Sequence, residues 1–269
     1  MSVPELVSCE WLQGRLAAGN TSGLVIVDVS WASNRDCHQD FKSKHIPGAQ
    51  YMNILNADHS DLYPRAIPHV DTFTEMARAA GVNADSHVVV YSNSDKAGYF
   101  LSGRGWWSFK YFGHEKVSVL DGGLQKWLSS GFPTSSQSEA VTRGNFSSRV
   151  DALMLADYKA VCDNLQDLKF HLVDTRPVSA FSEDHIPDAV NLTMANIVDE
   201  EQGTMKSKDE IKQLFEVAGV NLGRPLVTQC NSGMSSCTVA LAARLVGAAD
   251  VRVFMGGFTE WKKRQNKDV

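Results

Sequence analysis

The chain is written twice. One order of landmarks runs through each half of its 269 residues, and an internal repeat of this kind constrains a fold more than any local signal does. In the first half LVIVDVS (24–30) leads to HIPGAQYMN (45–53), VDTFTEMARAAGV (70–82), HVVVYSNS (87–94) and KVSVLDGGLQKW (116–127). The second half answers with FHLVDTR (170–176), HIPDAVNLT (185–193), SKDEIKQLFEVAGV (207–220), PLVTQCNS (225–232) and DVRVFMGGFTEW (250–261). The offset drifts from 146 for Asp28 and Asp174, through 140 for His45 and His185 and 138 for Ser92 and Cys230, to 134 for Trp127 and Trp261, as insertions and deletions in loops produce.

Each half carries three short β-branched runs of the length of buried parallel strands. Between them lie segments with helical apolar spacing, such as Phe73, Met76, Ala77 and Ala80, or Ile211, Leu214, Phe215 and Ala218. Strands alternating with helices predict an α/β fold in which a parallel sheet is flanked by helices on both faces. The expectation is therefore two tandem domains, 1–133 and 150–269, with the Ser- and Thr-rich stretch 134–149 as linker.

Composition fits that plan. Apolar residues make up 43% and charged residues 21%, and 26 Lys and Arg stand against 31 Asp and Glu, a net charge of -5. No overall positive field exists to hold a polyanion, so nucleic acid is not an expected partner. The most apolar stretch, 239–249, is interrupted by Arg244 and is too short to span a bilayer, so neither is a membrane. The first residues carry Glu5 and Glu10 and show no basic leader, which sets a cytoplasmic expectation with the mitochondrion as the other compartment. Five cysteines, an odd number in a chain that needs no staples, read as free thiols.

The halves differ chemically at one strand end. HVVVY runs into Ser92, whereas PLVTQ runs into Cys230, so only the second copy has a nucleophile. Ligands of parallel α/β sheets collect at the carboxyl ends of strands. Cys230 stands there, followed by Asn231, Ser232, Gly233, Met234, Ser235 and Ser236 and then by the helical run TVALAARLVG. Backbone N–H groups of such a loop, with the unpaired N–H groups of the following helix, converge on what the loop encloses and favour a thiolate or persulfide there. Cys237, on the helix beside Val239 and Leu241, reads as core filling, and the spacing from Cys230 to Cys237 does not suit zinc. Cys9, Cys37 and Cys162 read as packing or surface thiols. The pairs Gly122-Gly123 and Gly256-Gly257 lack a phosphate-loop pattern and read as tight turns.

These motifs resemble the two-domain rhodanese family, the thiosulfate and 3-mercaptopyruvate sulfurtransferases, over essentially the whole chain. The first half carries the resemblance in DVSW (28–31), HIPGA (45–49), GRGWW (103–107), FGH (112–114) and LDGGLQKW (120–127). The second carries it in VDTR (173–176), HIPDAVN (185–191) and CNSGMSSCTVALAARL (230–245). The resemblance implies a double displacement. The Cys230 thiolate takes a sulfane sulfur from a donor and passes it from a persulfide to a thiol or cyanide acceptor, with no metal or organic cofactor. A thioredoxin-like reductant is a further implied partner.

Thiosulfate enzymes of the family place cations directly after the cysteine, and mercaptopyruvate enzymes Gly-Ser-Gly. Asn231-Ser232-Gly233 is similar to the second pattern. The family arginine expected four residues beyond Arg176 is Ala180 here, and the insertion carrying a second arginine is missing. In LYPRAIP (62–68), Arg65 stands where the family has a histidine; it either anchors a donor carboxylate or is merely solvated. Arg104, before Trp106-Trp107, matches the family's first-domain arginine as a substrate-binding candidate or a structural ion pair. His45, His185, Asp28 and Asp174 occur in both halves and read as structural.

Two other classes compete. The dual-specificity cell-cycle phosphatases have a rhodanese-like fold but need an arginine at the sixth position after the cysteine, which is Ser236 here. A non-catalytic binding or persulfide-relay module is the alternative suggested by the missing arginines.

Overall fold

The computed structural model describes residues 3–94, 98–137, 139–199 and 201–266. The chain packs as two compact units. The first contains β1 (Leu6–Val7), α1 (Cys9–Ala17), β2 (Leu24–Asp28), α2 (Cys37–Ser43), β3 (Gln50–Tyr51), α3 (Val70–Ala79), β4 (His87–Tyr91), α4 (Tyr99–Tyr111), β5 (Val117–Leu120) and α5 (Gly123–Ser129). After a 3-10 turn at Ala152–Met154 come β6 (Leu155–Ala156), α6 (Tyr158–Asp167), β7 (His171–Asp174), α7 (Val178–Glu183), β8 (Val190–Asn191), α8 (Met194–Ile197) and the short strands β9 (Val198–Asp199) and β10 (Thr204–Met205). The chain then runs through α9 (Lys208–Val217), β11 (Leu226–Gln229), α10 (Ser235–Leu245), β12 (Val251–Phe254) and α11 (Gly257–Gln265).

Each unit is built on a five-stranded parallel sheet, in the order β1-β5-β4-β2-β3 in the first and β6-β12-β11-β7-β8 in the second. The two orders are the same order repeated, as the sequence repeat requires. Three strands per half are the hydrophobic runs read from the sequence. The other two are two-residue strands at the sheet edges, too short for any periodicity to announce.

Local chemistry fixes the helix ends. Ser8 accepts the Trp11 N–H at 3.1 Å, Asp36 accepts those of His38 and Gln39, and Asp157 accepts that of Ala160 at 2.7 Å, each satisfying an N–H with no partner inside its helix. Ser207 and Glu210 cap each other at the start of α9. Of the helical apolar positions, Phe73 and Ala77 on α3 and Ile211 and Phe215 on α9 are buried. Buried cores form around Ile26, Val89, Leu120 and Trp127 in the first unit and around Val161, Val227, Phe254 and Trp261 in the second.

The unit boundaries do not follow the chain midpoint. Residues 57–67 of the first half pack in the second unit, and residues up to Met205 that follow β9 pack in the first. The two segments occupy corresponding places in the repeat, between the third strand of a sheet and the next long helix. Met205 N–H donates to Asp121 Oδ1 at 2.8 Å, and Tyr99 also donates to that carboxylate. Among its described residues the stretch 134–149 has no helix, and it packs in the first unit: Phe146 is buried, its N–H donates to Val82 O, and its carbonyl accepts from Arg78 Nε at 2.7 Å.

The paired histidines do the same work in both halves. His45 Nδ1 meets Phe41 O at 2.6 Å and His185 Nδ1 meets Phe181 O at 2.9 Å, each ring stacked on that phenylalanine. Each closes the turn behind a short helix. Asp28 and Asp174 also act locally, accepting the N–H groups of Ser30 and Arg176 two residues on.

Candidate active site

β11 delivers Cys230 to the carboxyl end of the central strand of the second sheet, where backbone pairing ends and the chain turns into α10. Gly233 adopts φ +75°, a left-handed conformation that side chains disfavour, and so lets the loop curl back. The curl brings the Met234 N–H to 3.2 Å from Cys230 Sγ and the Ser236 hydroxyl to 3.6 Å from it. Met234 N–H donates to the sulfur, the Ser236 hydroxyl can donate to it when it is a thiolate, and α10 begins beside them at Ser235.

The rest of the loop is held from outside. Ser235 Oγ pairs with Thr175 Oγ1 at 2.8 Å, tying it to the strand end of β7. The Cys237 thiol donates to Gly233 O at 3.2 Å, so this second sulfur pins the loop and is fully buried. Thr228 Oγ1 donates to Ser236 O at 3.0 Å. From the adjacent turn, Phe258 N–H donates to Cys230 O at 2.7 Å and Thr259 N–H to Asn231 O at 3.3 Å. That approach requires Gly257, at φ +56°, because a Cβ there would lie 2.0 Å from Cys230 O. The glycine pairs are thus tight turns that hold strand ends, and Gly123 does the same for Ser92 in the first half.

Both strand-end side chains are buried. Ser92 is fully buried and donates to Gly98 O at 2.8 Å, whereas Cys230 retains 5% exposure. Ser232 is half-buried and Asn231 exposed. Arg176, next to the loop in space through Thr175, is spent on structure: it chelates Asp174, donates to Asp184 O at 2.7 Å and lies 3.7 Å over the Phe258 ring. Ala180 sits half-buried on α7.

Arg65 is half-buried on the segment 57–67, so it belongs to the same compact unit as Cys230, and its Nη1 donates to Pro64 O at 2.7 Å. Arg104 belongs to the first unit. It is fully buried on α4 with its guanidinium 5.5 Å from the Trp107 ring. Cys230, its loop and Arg65 thus belong to one compact unit and Arg104 to the other. A cavity of about 540 Å³ lies at the ends of β6 and β12, walled by Tyr63, Ile67, Tyr158, Met255, Glu260 and Arg264. Sequence reasoning passed over Glu260, a buried carboxylate bonded to Tyr63 and Arg264. Its signal was a charge reversal within the repeat, since the equivalent position in the first half is Lys126.

A thiol at the end of a parallel strand, with a backbone N–H donating to it and a hydroxyl in reach, is an arrangement suited to thiol-centred group transfer. The rhodanese-like domain model matches residues 8–130 and 157–264, and the chain belongs to the rhodanese family. It is 37% identical to a thiosulfate sulfurtransferase from Gallus gallus, with 96% of this chain and 93% of that protein covered. It is 36% identical to a 3-mercaptopyruvate sulfurtransferase from Homo sapiens, covering 96% and 92%. The crystal structure of the 3-mercaptopyruvate sulfotransferase SseA from Escherichia coli superposes with a TM-score of 0.84 at 28% identity, over 94% of this chain and 98% of that one. These full-length relatives place the chain among the sulfurtransferases. Among the described residues, no helix is long and apolar enough to cross a membrane.

Proposed function

We propose that the protein moves a sulfane sulfur from 3-mercaptopyruvate or thiosulfate to a thiol or cyanide acceptor through a persulfide on Cys230. The observation that carries this reading is the Met234 N–H that donates to Cys230 Sγ, with the Ser236 hydroxyl in reach of the same sulfur. Thiol displacement needs an attacking sulfur that is also a good leaving group, and both properties follow from stabilising its anion.

With 3-mercaptopyruvate, the Cys230 thiolate attacks the donor sulfur. The carbon–sulfur bond breaks, pyruvate leaves as its enolate and takes a proton, and Cys230 carries the persulfide. With thiosulfate the sulfur–sulfur bond breaks instead and sulfite leaves. In the second half an acceptor thiolate or cyanide attacks the outer sulfur, and the Cys230 thiolate departs, regenerated. The same loop donors stabilise the anion at both ends of the cycle, and a thioredoxin-like dithiol fits the acceptor role.

Of the two donors, 3-mercaptopyruvate suits the site better. Identity does not separate them, at 37% and 36% to relatives of the two names. The loop does: 231–236 carries no Lys or Arg to meet a dianion, and Arg176 is committed to Asp174. Arg65 is the cation proposed to hold the donor carboxylate, while the buried Arg104 is assigned to packing. Steady-state comparison of the two donors tests this. The expectation is a higher kcat/KM for 3-mercaptopyruvate and a raised KM for it in Arg65→Ala; equal donors with an unchanged KM contradict the assignment. A relay or binding module without small-molecule turnover would form no persulfide with either donor.

A further inference from the structure

Tyr63 and Arg65 lie two residues apart on the segment 57–67, which forms a strap on the second unit. The strap is shaped by its own hydrogen bonds: Tyr63 N–H donates to Ser60 Oγ at 3.1 Å, Ser60 N–H to Tyr63 O at 3.1 Å, and Ala66 N–H to His59 Nδ1 at 3.2 Å. One of its fastenings is a phenol. Tyr63 OH donates to Glu260 Oε1 at 2.7 Å, and Arg264 Nε donates to the same oxygen at 2.8 Å. Lys263 faces Asp61 at the rim, at 3.7 Å.

Glu260 is only 3% exposed, so its charge depends on these protein partners for solvation. Its carboxylate folds back over Gly256, where a Cβ would lie 2.0 Å from Oε2, and this fixes the acceptor in one place. Burial first, and then the adjacent carboxylate, push the Tyr63 phenol up. Glu260 sits on the same helical turn as Phe258 and Thr259, whose N–H groups hold the Cys230 and Asn231 carbonyls. The strap and the nucleophile therefore hang from the same turn of α11. The fold itself does not demand this acid, because the first half forms its equivalent helix with Lys126 at that position.

We propose that Tyr63 is a positioning residue for the sulfur donor, its bond to Glu260 setting where the strap presents Arg65. The inference rests on the reading of Arg65 as the donor-carboxylate anchor. The strap is then a specificity element: the first half of the chain supplies the cation that the loop after Cys230 lacks, and Glu260 registers that cation to the nucleophile.

The test is calorimetric binding of 3-mercaptopyruvate to the full chain carrying Cys230→Ser, which separates binding from turnover. Adding Tyr63→Phe is expected to weaken binding about three- to tenfold, the worth of one ordinary hydrogen bond, because the lost bond positions the anchor and does not touch the ligand. Arg65→Ala is expected to weaken it at least as much, and the double variant no further than Arg65→Ala alone. Glu260→Gln, which keeps an acceptor for the phenol, is expected to lose less than Tyr63→Phe. An unchanged affinity in Tyr63→Phe, or additive losses in the double variant, overturns the proposal. If Arg65→Ala binds like its parent, the anchor reading falls and this inference with it. Sulfur transfer through Cys230 is tested apart, by persulfide formation in the otherwise unaltered chain.

Discussion

Phe258 N–H donates to the Cys230 carbonyl oxygen at 2.7 Å, and in the first half Leu124 N–H donates to the Ser92 carbonyl oxygen at 3.2 Å. The same turn thus grips the same strand end in both copies of the repeat, and only one copy holds a thiol there. The scaffold around the strand end therefore does not depend on the thiol.

Gly257→Ala is expected to test that grip. At φ +56° a Cβ would meet Cys230 O at 2.0 Å, so the backbone beneath the nucleophile has to move. A stability loss of about 1–3 kcal/mol and a fall in kcat/KM on the order of a hundredfold follow. Gly123→Ala, where the added Cβ would lie 2.5 Å from Ser92 O, is expected to lower the melting temperature similarly while leaving kcat/KM within a few-fold, by about the scatter of distant sites. Thermal unfolding and donor kinetics on the pair check both halves of the statement.

Ser236→Ala removes the hydroxyl 3.6 Å from Cys230 Sγ. The Ser236 carbonyl still accepts from Thr228, so the backbone stays in place. The first half-reaction is expected to slow about tenfold, the worth of one hydrogen bond to an anion. Stopped-flow release of pyruvate from 3-mercaptopyruvate reads this step; a rate equal to the parent's would assign the stabilisation to backbone N–H groups alone.

His87 gives a stability prediction with a definite sign. Burial lowers it from the ordinary 6.5 to about 4, with Arg15, His114 and Lys116 adding in the same direction. Its ring meets Ser118 Oγ at 2.7 Å. The unfolded chain therefore binds the proton first as pH falls, so stability is full above about 6.5 and declines toward about 4. His114, also lowered by burial, works the same way, whereas the buried Asp28 and Asp121 carboxyls, raised by burial, work oppositely. The comparison that isolates His87 is with His87→Gln: its melting temperature is expected to fall less than the parent's between pH 7 and pH 5. Parallel curves would remove His87 from the account of acid sensitivity.

Much of this molecule was legible because the repeat carries its own internal control. Asp28 and Asp174, or His45 and His185, could be set aside as structural since they occur with and without a thiol, and Cys230 stood out because its counterpart is Ser92. The two-residue strands at Leu6–Val7 and Val190–Asn191 escaped notice, as pairing to a neighbour rather than hydrophobic period defines them. The strap 57–67 was equally invisible: its polar sequence reads as a loop, and which unit a loop packs on is a tertiary matter. Arg104 reads from the sequence as a substrate-binding candidate or a structural ion pair, and its complete burial beside Trp107 has no local signature. Glu260 shows that the repeat could have been used further, since a Lys-to-Glu reversal at a buried position marks a place where the halves do different work.

The most direct measurement is the intact mass of the protein after incubation with 3-mercaptopyruvate or thiosulfate and removal of the donor. A gain of about 32 Da, one sulfur atom, is expected in the parent chain, reversed by a thiol or cyanide and missing in Cys230→Ser. No gain with either donor, or a gain that survives in Cys230→Ser, contradicts a persulfide on this cysteine.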